Sequence, residues 1–303
     1  MVKKPFIRNI AFSLTIVLGI LVYFSPLKAL IKLSFHSELY SHFLMIPGVS
    51  AFLLFLSRRR IFSEITWAPL GGTCLAAAGL ASYLIGLRWH SRLGQNDFLF
   101  FCTLGAVAWI NGASLAFYGP RAFRRAMFPL LFLFFMVPIP RIILNPTIHY
   151  LQMGSVYAVD GIFRMLGMPH YRHGTVIEFT GVSIEVAKQC SGIRSTLALV
   201  FTSLLTGYFV LQSGWRRTLL VLAIFPVTVL KNAVRIATLT LLALYVDKTW
   251  LTDSWLHQSG GFVFFLLALL MLAPLLWWLK KSETQSHQPE NDPCPAAPSV
   301  PLT

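Results

Sequence analysis

Long apolar runs separated by short polar junctions dominate the chain. A helix needs roughly 20 apolar residues to cross a hydrocarbon core of about 30 Å. Runs of about that length fall at 10–27, 42–57, 68–87, 98–118, 126–143, 191–213, 217–238 and 260–279. The pattern predicts an all-α polytopic membrane protein with about eight transmembrane helices. The second and fifth runs are short or carry proline, which softens their ends. One connection differs from the others. Residues 144–189 open on Asn145-Pro146, a turn signal, and Ile148 to Leu166 then reads as an amphipathic helix at the membrane surface. After Gly167-Met168-Pro169, residues 174–186 alternate and break at Gly181, as a small β-hairpin would. The amphipathic helix and the hairpin together form a small extracytoplasmic insertion. Residues 282–303 are polar, carry five prolines and read as a disordered cytoplasmic tail, leaving 1–281 as one integral membrane domain.

Composition supports this reading. Of 303 residues, 56% are hydrophobic and 12% charged, about half the charged share of a soluble domain. A soluble enzyme is excluded, and so is a globular domain on a single anchor. The net charge of +14, from 25 Lys+Arg against 11 Asp+Glu, would suggest nucleic acid in a soluble protein. Here the positions of the charges give another reason. Basic clusters lie at Lys3, Lys4 and Arg8, at Arg58 to Arg60, at Arg121, Arg124 and Arg125, at Arg216 and Arg217, and at Lys280 and Lys281. Every second junction is therefore basic, as the positive-inside rule predicts for an even number of spans with both termini cytoplasmic. The excess charge is a topology signal, and no nucleic acid partner is needed. Basic residues followed by an apolar run at the N-terminus mimic a secretory signal, but no small-x-small site follows, so an uncleaved first span is expected.

Polar residues out of place in this apolar pattern are the candidates for chemistry. Cys74 and Cys102 sit within apolar runs and read as small buried hydrophobes. Cys190 differs, because it lies where the long outer segment becomes span six, between Lys188 and Arg194. Nearby positive charge and a helix N-terminus lower a thiol pKa and favour the reactive thiolate. There is no CxxC and no Cys/His spacing suited to zinc, so neither metal nor cofactor is expected. Span seven carries Lys231-Asn-Ala-Val-Arg235, which places Asn232 and Arg235 one turn apart on one face. Ionisable groups inside a span are functional candidates by default, although an arginine there can also snorkel outward or pair with Glu185. His257 precedes span eight. At about 1.5 Å per residue, Cys190 lies about 33 Å above Gln212, Arg235 about 27 Å above Arg217, and His257 about 33 Å above Leu279. All three reach one level near the outer surface. A thiol, a guanidinium and an imidazole at one depth could serve acyl transfer as nucleophile, oxyanion stabiliser and proton shuttle.

Glu185-Val-Ala-x-x-Cys190-Ser-Gly, Asn232-x-x-Arg235-Ile and His257-x-x-x-Gly261 resemble, in order, three signatures of the exosortase/archaeosortase family. Pro138-Ile-Pro140, Leu151-Gln152 and the glycine-punctuated stretch 174–181 are similar to that family too, so the specific likeness covers about 130–265. The resemblance implies a membrane cysteine protease or transpeptidase at the outer face of the cell inner membrane. Its partners would be exported proteins bearing a C-terminal signal of the Pro-Glu-Pro type: a short motif, a transmembrane helix and a basic cluster. In bacteria the family accompanies surface-protein export and exopolysaccharide production. Carried over by motif, Cys190 is the expected nucleophile, Arg235 the transition-state stabiliser and His257 the general acid/base, with Glu185, Arg194 and Asn232 in support. Three alternatives stay open. One is a transporter or flippase using Arg235 and Lys231 as an anion site. The others are a serine-type protease using Ser191 and a structural subunit of an export assembly.

Overall fold

A computed structural model of the chain describes residues 3–37, 39–180, 182–251 and 261–286. The chain is an all-α polytopic membrane protein with one small sheet. Among the described residues, six helical elements are long and apolar enough to cross a membrane, or up to eight if each of two bent pairs is one span. Two compact units divide at Pro146, and each is described by itself.

The first unit begins with α1 (Lys3–Val22) and α2 (Phe24–His36), which meet at a 70° bend around Tyr23. Next come α3 (Met45–Ile61), α4 (Pro69–Arg88) and α5 (Gln95–Arg125). The long α5 is kinked at Gly119, whose φ of +80° precedes Pro120. An antiparallel pair, α4 and α5, forms the centre. Its glycines recur every seven residues on one face of α4: Gly72 lies against Ala116, Gly79 against Gly105, and Gly86 against Phe101. Apolar burial drives little association between helices in lipid, so close backbone approach through small residues must supply it. This gives a test with opposite signs. An alanine normally stabilises a helix by about 1 kcal/mol over glycine. At Gly71 a Cβ meets only Leu115 Cδ2 at 3.6 Å, whereas at Gly79 it would lie 2.6 Å from the Gly105 carbonyl. Thermal unfolding in detergent should therefore show Gly71→Ala neutral or stabilising and Gly79→Ala destabilising by about 1–3 kcal/mol.

The fifth apolar run is not one straight span. It forms α6 (Met127–Phe132) and a 3₁₀ turn (Leu133–Met136), then bends by 85° into α7 (Arg141–Met165). Pro138 and Pro140 break the ladder, and the first turn of α5 holds the bend. Asn96 donates to the Ile139 carbonyl, and Asp97 accepts the Arg141 N–H at 2.8 Å. The turn expected at Asn145-Pro146 is absent. The chain is already helical there, and Pro146 lies inside α7, where it forgoes the ladder bond to the Ile142 carbonyl. The amphipathic segment expected from Ile148 is accordingly the continuation of α7.

In the second unit, a three-stranded antiparallel sheet replaces the expected single hairpin: β1 (Tyr171–His173), β2 (Val176–Phe179) and β3 (Val182–Glu185). The first two strands join through Gly174-Thr175. Gly174 has φ +61° and Thr175 a negative φ, as a two-residue turn with glycine in its first central position requires. The break expected at Gly181 falls outside the described residues. Helices α8 (Ile193–Val210), α9 (Gly214–Leu222), α10 (Ile224–Tyr245) and α11 (Gly261–Ser286) follow, with α9 and α10 nearly continuous. The last helix runs through 282–286, residues the sequence placed in the tail. Glu283 explains this, because its carboxylate accepts the N–H groups of Gln212 and Ser213 at 2.9 and 2.7 Å and pairs with Arg216 at 3.2 Å. Arg217 bonds the Leu211 carbonyl. These contacts tie the α8–α9 junction to the end of α11. Cys102 is buried as expected, but Cys74 is exposed on α4.

Candidate active site

Two of the candidate motifs, those of Cys190 and of Asn232 and Arg235, meet at the start of α8. A core of Val156, Val159 and Phe163 from α7, Ile177 and Val186 from the sheet region, and Ala233, Ile236 and Ala237 from α10 fixes these elements against one another. Val186 is pinned on both sides, since its N–H bonds the Thr175 carbonyl at 3.0 Å and its carbonyl accepts from Gln152 on α7. The chain then enters a 3₁₀ turn, Lys188–Ser191, so the backbone of Cys190 lies on that turn directly before α8. The Cys190 side chain lies outside what the structure describes, as does all of His257.

Gly192 closes the turn and caps α8. Its φ of +78° is a left-handed conformation that L side chains rarely adopt. A Cβ there would also meet Thr228 Cγ2 at 3.4 Å and Asn232 Oδ1 at 3.6 Å, so the turn lies against α10. The Gly192 carbonyl accepts the Ser195 and Thr196 hydroxyls at 2.8 and 2.9 Å, fastening the first turn of α8.

On α10, positions 228, 231, 232 and 235 share one face. Asn232 is fully buried and donates to Ser155 Oγ on α7 at 2.9 Å, and Ser155 passes the bond to the Leu151 carbonyl at 2.7 Å. Lys231 is 2% exposed and donates to Ser195 Oγ at 2.5 Å. Arg235 is half-buried one turn further along and lies within electrostatic range of both Lys231 and Arg194. The structure thus brings the Cys190 backbone and Arg194, at the start of α8, to the middle of α10, where Asn232 and Arg235 lie. Glu185 is not part of this cluster: it is exposed at the end of β3 and makes no ion pair among the described residues. The arginine–Glu185 pairing that the sequence allowed is therefore not made.

Motif reading missed several supporting residues. Ser195, Ser155 and Thr228 give no sequence signal by themselves; only the packing of α7 and α8 on α10 reveals them. Asp160 is another. Its carboxylate takes His170 Nε2 at 2.9 Å and Arg164 at 3.0 Å, tying α7 to β1 beside a cleft of about 350 Å³. Just beyond α10, exposed Asp247 accepts the Thr249 N–H at 2.8 Å, which holds its carboxyl below the ordinary range. Among the described residues no three His, Cys, Asp or Glu side chains group as a metal site would.

Apolar spanning helices, with a cationic cluster where the start of α8 meets the middle of α10, define an integral multi-pass membrane protein. The family model for transmembrane exosortase matches residues 33–274, well over half of the chain, and the chain belongs to that family. No curated protein and no solved structure matches it.

Proposed function

We propose that the chain is a membrane cysteine protease or transpeptidase that removes C-terminal sorting signals of the Pro-Glu-Pro type from exported proteins, at the outer face of the inner membrane. A substrate helix docks laterally in the bilayer and presents its motif beside Cys190. The thiolate attacks the scissile carbonyl, and Arg235 stabilises the developing oxyanion. His257, as imidazolium, protonates the departing amine, and a thioester remains on Cys190. An amine or water then resolves it. The biological setting is surface-protein or exopolysaccharide export.

The observation that carries this reading, within the transmembrane exosortase family, is the packing of the Cys190–Gly192 turn against Asn232 and Thr228 on the helix that bears Arg235. The test is to trap the thioester. Brief incubation of the detergent-solubilised protein with a signal-bearing substrate, acid quenching and mass spectrometry should place the acyl group on Cys190. An adduct on another residue, or turnover with none on Cys190, overturns the proposal. A transporter or flippase working through Lys231 and Arg235 gives no adduct and moves an anion instead.

A further inference from the structure

The small sheet ends in an edge that leads into the turn of Cys190. Bonded and non-bonded pairs alternate along an antiparallel ladder. The Val186 N–H bonds the Thr175 carbonyl, and the pairing of β2 with β3 continues from there in unbroken register. Ile184 and Val182 therefore turn their backbone N–H and C=O groups to β2, while Ser183 and Glu185 turn theirs away from it. The strand order is β1-β2-β3, so that outward side is an edge of the sheet. The Ala187 N–H takes the Glu185 carbonyl at 3.0 Å. The Ser183 N–H, the Ser183 carbonyl and the Glu185 N–H have no backbone partner among the described residues, and both residues are exposed. The opposite edge offers less, because the outward groups of β1 belong to Arg172 alone. Edge strands are commonly blunted by proline, lysine or a bulge, and Val182-Ser-Ile-Glu185 has none of these. The strand also runs toward the site. Ala187 is extended, with φ −66° and ψ 159°, and the turn Lys188–Ser191 follows. Cys190 lies five residues beyond Glu185, a reach of at most about 18 Å.

We propose that β3 is the docking strand for the substrate: the extended segment of the exported protein that precedes its signal motif adds to this edge as a fourth, parallel strand. The inference rests on the reaction proposed above and names how that site holds its substrate. Direction follows from the chemistry. The scissile carbonyl ends the retained segment and has to reach Cys190, which lies beyond the C-terminal end of β3. The segment therefore runs in the same sense as β3. In a parallel pair, the N–H and C=O of one residue bond to the residues on either side of its neighbour. The Ser183 N–H donates to the carbonyl of one substrate residue. The residue two further on donates its N–H to the Ser183 carbonyl and accepts the Glu185 N–H. Backbone groups of the intervening residue point away from the sheet. Main-chain bonds supply the affinity in this mode of recognition, so the ability of the segment to extend matters more than its sequence.

The test uses the full chain in detergent, carrying Cys190→Ala so that binding is read without acyl transfer. The probe is a fluorescent synthetic peptide of six alanines, a Pro-Glu-Pro motif, an apolar helix and a basic tail, followed by anisotropy. Ser183→Pro removes an outward N–H and no bond to β2. Proline is tolerated on an edge strand in that position, and the residue before it, Val182, is already extended as proline requires. Its melting temperature should stay near that of the parent, while the probe binds at least about fivefold more weakly, since a net hydrogen bond is worth roughly two- to tenfold. Ser183→Ala keeps the backbone N–H and should bind within about twofold. Methylating the alanine N–H groups of the probe one at a time should weaken binding at every second position. Unchanged binding by a folded Ser183→Pro protein overturns the proposal, as does an equal loss in Ser183→Ala, which would assign the effect to the side chain. A methylation scan with no two-residue period overturns it as well, and that scan decides alone if Ser183→Pro does not fold. Failure of Cys190 as the nucleophile would appear in the thioester trapping and leave these binding comparisons standing.

Discussion

Cys190→Ala is expected to abolish removal of the C-terminal signal, with the rate falling by at least about 10³-fold; loss of a nucleophile in a catalytic triad costs up to about 10⁶. Cys190→Ser should be nearly as inactive, although it changes a single atom. A serine hydroxyl is a weak nucleophile at its ordinary pKa and needs a base arranged for it, whereas a thiol is a few per cent thiolate near neutral pH even without help. Ser191 is retained in both variants, so an enzyme using that serine would survive both. The placement of the residue supports an effect on chemistry rather than on folding. The 3₁₀ turn Lys188–Ser191 is held from outside the thiol, by Val186 bonded on both sides and by Gly192 packed on α10. The measurement is the precursor-to-mature ratio of a signal-bearing substrate, together with the melting temperature of each purified variant. Normal maturation without the thiol would sink the mechanism, and a structural subunit of an export assembly predicts that outcome.

Hydropathy made most of the architecture legible, because a bilayer demands length and apolarity that soluble proteins never need together. It could not show where an apolar run bends. The run 126–143 has a span's composition, but Pro138 and Pro140 break it, and the bend is stabilised by Asn96 and Asp97 far away in sequence. The third strand was hidden for a related reason: Tyr171–His173 is too short to show alternation and exists through its pairing with β2. At the site, the spacing of Asn232 and Arg235 needed only helical periodicity. The Lys231–Ser195 and Asn232–Ser155 bonds join separate helices, and no local pattern announces them. Single serines and threonines in apolar helices look alike in sequence, whether they cap a turn or bridge two spans.

Arg235→Lys keeps a positive charge on α10 and is nevertheless expected to cost about 10²–10³ in rate, the usual loss when one aimed oxyanion donor is removed. A guanidinium offers donors in a fixed planar fork, whereas an ammonium is a point charge on a flexible stem, so charge survives and aim does not. If Arg235 contacts the oxyanion only in the transition state, kcat and kcat/KM should fall together while KM stays nearly unchanged. That pattern separates Arg235 from its neighbours on the same face. Asn232 is fully buried and donates to Ser155 Oγ on α7, so Asn232→Ala should act first through stability, removing that bond between two helices at a cost of about 1–3 kcal/mol. Arg235 is half-buried, so its conservative variant should melt near the wild-type temperature. Single-turnover formation of the Cys190 thioester isolates the step concerned. A slow acyl-enzyme in a stably folded Arg235→Lys protein supports direct stabilisation of the attack. Thioester formation within about threefold of wild type would remove Arg235 from the oxyanion role, because a lost donor in a water-poor site costs far more than that.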